Sequence, residues 1–249
     1  LPINIGLAYL TVAVRFVHLY GDALVGLYLD VLSCTHSGEL DLPDSQNSAL
    51  KQFGSKWRLA SGEPVTTALN IDRFNGMHGK KVKRDFDRFR MNPTLDEAMR
   101  ILIGSCVVCM AILKPSREDE LTYLKRDCLR QDDNGYWLNF QLGKSNIKGI
   151  EAWQDEDRPV PVITARAIQS LQRLGAGLSD ICGGATKQAD NLFYLPRMDG
   201  KGALRVSGNF LSRYLDDFCD FVGLPPDNEG RRWYVRIHEM RKWFLLLLF

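Results

Sequence analysis

Four residues spread along the sequence combine into one kind of chemistry: Arg117, Lys144, His238 and Arg241. Two guanidiniums, an ammonium and an imidazole supply hydrogen-bond donors, and neither a carboxylate pair nor a metal-ligand set accompanies them. That inventory suits a phosphodiester, whose transition state spreads negative charge over several oxygens, better than a carbonyl, a sugar or a metal ion. Arg117 sits in Ser116-Arg117-Glu118-Asp119-Glu120, a run that predicts a helix capped by Ser116, with Arg117 in its first turn and Leu121 and Leu124 on its inner face. A cation there opposes the helix dipole by about 0.3–1 kcal/mol. Free backbone N–H groups beside a guanidinium would in turn make an anion site. A surface ion pair with Glu120 or Asp119 is the plainer alternative. His238 and Arg241, three positions apart, share one face of a predicted helix whose other side carries Met240, Phe244 and Leu247 or Leu248.

The elements that must position these groups follow from periodicity. Thr94 and Glu97 form a capping box, and Leu95, Ala98, Met99 and Leu102 give a helical period that continues to about Leu113 and is broken by Pro115. Tyr136, Leu138, Phe140 and Leu142 alternate with Trp137, Asn139 and Gln141, a half-buried strand. Gly143-Lys144-Ser145-Asn146 has the composition of a turn, and Val160 and Val162 mark a returning strand. Helices are expected from Thr164 to Leu174 with a stop at Gly175, from Ser207 to Val222 with a stop at Gly223, and from near His238 onward. Before Asn92-Pro93, apolar runs at Ile5–Leu19 and Ala23–Leu32 predict helices, which divides the chain into an all-helical domain, 1–91, and a mainly helical domain with one small sheet, 92–249.

With 45% hydrophobic and 25% charged residues, the 249-residue chain cannot be disordered as a whole. Its formal charge of +2 suggests no polyanionic partner, and the distribution is more informative than the total: −4 over residues 1–50, +6 over 51–90 and 0 thereafter. The basic band includes Lys80, Lys81, Lys83 and Arg84, with phenylalanines interleaved. It reads either as a solvated helix face or as a surface that tracks a phosphate backbone. Six cysteines in a chain of this length fit a reducing compartment, and the Cys106-x-x-Cys109 pair lies in an apolar helical run that suits packing rather than zinc or redox chemistry. No run reaches the ~18 consecutive apolar residues of a membrane span. A start at Leu1 and an apolar finish at 243–249 read as a fragment, or as the ordered part of a longer chain.

Ser116–Leu124 resembles the R-x-x-E-L-x-x-L box of the tyrosine recombinases, the phage integrase family. Gly143-Lys144-Ser145 followed by Arg158-Pro159-Val160-Pro161-Val162 is similar to their lysine hairpin, and Ile237–Arg241 to their H-x-x-R box. The motifs fall in the family's order within 92–249, and the helical segment 1–91 with its basic linker matches more loosely. The resemblance implies a mainly α fold with a small antiparallel sheet: a helical core-binding domain plus a catalytic domain of the DNA breaking-rejoining type. It implies site-specific recombination or integration by phosphoryl transfer through a 3′-phosphotyrosyl intermediate, without metal or other cofactor. The implied partners are double-stranded DNA and three further copies of the chain in a tetramer on synapsed DNA, with no membrane and a cytoplasmic location. Arg117 and Arg241 would hold the non-bridging oxygens and Lys144, or its rival Lys148, would protonate the leaving 5′ oxygen. His238 would assist proton transfer and Glu120 would orient its neighbours. Lys80, Lys81, Lys83 and Arg84 would meet the DNA backbone. The family continues past H-x-x-R to a nucleophilic Tyr, whereas the eight residues after Arg241 include none, so these 249 residues are expected to bind DNA without cleaving it. A non-catalytic DNA-binding protein on the same scaffold and a type IB topoisomerase-like enzyme are the alternatives.

Overall fold

A computed structural model describes residues 1–36, 43–75, 85–143, 153–183, 188–197 and 202–248. The chain is mainly helical with small antiparallel sheets. Four helices come first: α1 (Ile3–His36), α2 (Pro43–Phe53), α3 (Val65–Ala68) and α4 (Phe86–Met91). Then follow α5 (Leu95–Leu113), α6 (Glu118–Thr122), strands β1 (Leu129–Asp132), β2 (Gly135–Gly143) and β3 (Trp153–Val160), and α7 (Val162–Ile181). The last elements are β4 (Tyr194–Pro196), β5 (Ala203–Arg205), α8 (Gly208–Val222) and α9 (Ile237–Leu248).

α5 organises the rest. Its start is the expected capping box: the Thr94 hydroxyl accepts the Glu97 N–H at 3.2 Å and the Glu97 carboxylate accepts the Thr94 N–H at 2.9 Å. Arg88 on α4 grips that carboxylate with two bonds, at 2.6 and 2.8 Å. Beyond Arg100, which pairs with Asp96 and Asp217, α5 is apolar except for Ser105, and α1, α7, α8 and α9 enclose it. Gly104 is required where α8 crosses, since a Cβ there would lie 2.5 Å from the Tyr214 carbonyl oxygen and 2.8 Å from Phe218 Cβ. Cys106 and Cys109 are packing residues, as expected. Burial pushes the Cys106 thiol up and that of Cys109 to about 12, far from a reactive thiolate.

α1 is one helix of 34 residues, not two, because Gly21 continues it while making room for Ser170 of α7, whose Oγ would be 3.0 Å from an added Cβ. By length and composition α1 could cross a membrane, with an 18-residue window of mean hydropathy 1.4. Here its stripe of Tyr9, Ala13, Phe16, Leu24, Leu27 and Val31 is buried in the same core as α5.

The larger sheet has order β1-β2-β3, all antiparallel, with Tyr136 opposite Val160 and Gly143 opposite Trp153. Three expectations are corrected. Val162 belongs to α7, not to the returning strand, because Pro161 has no N–H for the ladder and serves as the helix N-cap. Gly175 does not stop α7, which runs on to Ile181. Instead, Gly175 and Gly177 thin the helix where Tyr194 of β4 and Leu29 of α1 press against it. The sheet is not alone, since β4 and β5 pair as a two-stranded ladder of three residues each, too short to show alternation in the sequence. α8 ends as expected at Gly223, in the left-handed region at φ 63°.

Candidate active site

The loop that follows α5 delivers Arg117. Ser116 does not cap α6: its hydroxyl donates to the Lys114 carbonyl at 3.0 Å, and Arg117 itself is the N-cap. The Glu120 carboxylate takes the Arg117 N–H at 2.8 Å, and a helix of five residues has little dipole to offer. What remains available is the guanidinium, 59% exposed, with the carboxylate of Glu120 4.0 Å from its Nε. Leu121 and Leu124 are buried beneath, as predicted, and fasten α6 between β2 and α8. Glu118 turns its carboxylate against Gly208, where any Cβ would strike it.

Two further cations stand around this loop. Arg158 of β3 makes two 3.0 Å bonds to Glu156 and stacks over Phe140 at 5.4 Å. Its pKa is raised, first by the bond to Glu156 and last by the charge of Glu120. Lys114 is half-buried, and burial followed by the charge of Arg158 lowers its pKa, against a smaller opposing pull from Glu156. Sequence reasoning noted Arg158 only within the segment similar to the lysine hairpin and passed over Lys114. A lysine between an apolar helix and Pro115 was the sole signal.

α9 repeats the architecture of α6. The Glu239 carboxylate accepts the Arg236 N–H at 2.9 Å, as Glu120 does for Arg117. Here the N-terminal arginine is spent: Arg236 bonds Asp216 of α8 at 2.7 and 3.4 Å, and Arg232 pairs with Asp220. Those pairs anchor the segment that precedes α9. Ile237, Met240 and Trp243 face the core, so the inner stripe includes a tryptophan that the sequence reading left out. His238 is exposed and Arg241 half-buried, and neither forms a hydrogen bond or ion pair with any described residue.

The structure therefore places Arg117 and Glu120 in contact, and His238 and Arg241 on one face of α9. Among the described residues no hydrogen bond or ion pair joins the two sets. α9 packs on α5, and α6 rests on β2 and α8, so one framework carries both. Lys144 and Lys148 lie outside the described residues, directly after the end of β2 at Gly143, as do Lys80, Lys81, Lys83 and Arg84. Among the described residues no cluster of three or more His, Cys, Asp or Glu side chains could hold a metal ion. The chain matches no family model, no curated protein and no solved structure.

Proposed function

We propose that the chain is a DNA strand-exchange enzyme of the tyrosine-recombinase type, a site-specific recombinase or integrase that acts by phosphoryl transfer. The observation that carries this reading is the uncommitted state of its cations. Arg117 opens a short helix with its guanidinium exposed and meets Glu120 only at 4.0 Å, and Arg241 shares a helix face with His238 without a carboxylate partner among the described residues, whereas Arg88, Arg100, Arg158, Arg232 and Arg236 are closely paired with acids. Accessible donors on rigid elements are what a phosphodiester needs. The element order supports the same reading: the arginine helix, β2 with Lys144 next in sequence, β3, two long helices, then His-x-x-Arg. On this reading Arg117 and Arg241 take the non-bridging oxygens, His238 holds a proton at the phosphate and Glu120 keeps Arg117 oriented. Nucleophilic attack belongs to a tyrosine that residues 242–249 do not supply.

The test is duplex binding by this chain as a function of salt. The expected result is an affinity that falls steeply between 50 and 200 mM salt, on the order of a hundredfold or more for several phosphate contacts. It should weaken further in Arg117→Ala and Arg241→Ala while their thermal unfolding is unchanged. Affinity that ignores salt, or that both variants leave intact, overturns the reading.

A further inference from the structure

A cleft of about 280 Å³ opens at the opposite end of α6 from Arg117, lined by Thr122, Tyr123, Gln188, Arg205, Ser207 and Gly208. Its chemistry is set by two side chains. Arg205, at the end of β5, lays its guanidinium over the Tyr123 ring at 4.6 Å and reaches the Thr122 carbonyl oxygen at 3.5 Å. It has no carboxylate partner among the described residues. Tyr123, the C-cap of α6, is 46% exposed. An exposed ring that holds an uncompensated guanidinium flat at the rim of a cleft is a preorganised anion contact, because the stacking fixes the fork without using its donors.

The position is informative. From Arg117 to Tyr123 is six residues at the helical rise, about 9 Å. The residues at the two ends of α6 therefore lie close enough to meet neighbouring phosphates along one strand of a duplex. The start of α8 is not the feature that attracts the anion, since the Glu118 carboxylate already lies against Gly208 there. The available donors are those of Arg205.

We infer that Arg205, carried on Tyr123, is a second backbone clamp for the DNA strand met by Arg117, gripping a nearby phosphate of the same strand. The inference rests on the DNA reading proposed above and adds a named contact to it. A phosphate contact at this place positions the duplex and reads no sequence.

The experiment measures affinity for a 30-base-pair duplex across a salt series, with wild-type chain, Arg205→Ala, Tyr123→Leu and the control Arg231→Ala. The control removes an exposed arginine already engaged by Asp227 and Glu229. Arg205→Ala is expected to lower affinity several-fold on unrelated sequences alike and to reduce the slope of log affinity against log salt by about 0.9. Tyr123→Leu, which keeps the charge and removes its seat, should lower affinity with the slope unchanged, and Arg231→Ala should do neither. A merely structural Arg205 would shift the melting temperature and leave the slope alone, which overturns the inference while the DNA reading stands. Salt-insensitive or absent binding by the wild-type chain overturns both.

Discussion

The starts of α5 and α6 are built from the same parts and put to opposite uses. Each opens with a glutamate at the third helical position that accepts the N–H of the N-cap residue, and each has an arginine close to that glutamate. At α5 the arginine is Arg88, bound to a carboxylate that is 3% exposed. At α6 it is Arg117, loosely facing a carboxylate that is 17% exposed. The difference teaches how to separate a structural arginine from an available one: what counts is whether the guanidinium's donors have been taken up by a buried acid. Removing Arg88 takes the closest counter-charge from a buried carboxylate, whereas removing Arg117 leaves Glu120 in reach of water.

The largest expected effect breaks the α5 side. Arg88→Ala should cost about 3–5 kcal/mol, read from the urea midpoint, because one partner of a buried pair is lost and the other stays behind. Next comes the pH dependence of the same pair. Burial alone would push the Glu97 carboxyl up, but the bond from Arg88, the Thr94 N–H and the charges of Arg88 and Arg100 outweigh it and hold it below the usual carboxylate range. A depressed folded pKa contributes stability that is complete above the unfolded value of about 4.3 and lost as pH falls through the folded one. Urea midpoints should therefore drop below about pH 4, and in Arg88→Ala, where Glu97 titrates high, that loss should disappear. Thr94→Ala should cost about 1 kcal/mol as a lost cap. Arg117→Ala should change stability by less than about 0.5 kcal/mol while weakening duplex binding, and Glu120→Gln, which still accepts the cap N–H, by only a few tenths. An unfolding penalty for Arg117→Ala comparable to that of Arg88→Ala would erase the distinction.

Most of the supports were legible in the sequence and their assembly was not. The Thr94–Glu97 box, the β2 alternation, the Gly223 stop and the start of α9 each depend on residues within one turn or one strand, so local pattern sufficed. Gly175 and Val162 were misread because their roles depend on distant chain: Tyr194 against the glycine, and a proline that ends a ladder. The same limit applies to the site. Arg117, Glu120, His238 and Arg241 could be picked out by type and spacing, but the real state of Arg117, an N-cap with its N–H already taken, needed coordinates. Arg205 carried no motif at all. Its signal is an exposed ring from another element, which no window of sequence contains.

Trp243 shows what this assembly means for the two ends of the chain. Its indole fills the space left by the missing side chain of Gly6, so the helix that bears His238 and Arg241 rests on the first turns of α1. A side chain at position 6 would act as a wedge. It would tilt α9 and move the imidazole and guanidinium together without touching either, a coupling between α1 and the His238–Arg241 face that no contact to those two side chains would reveal.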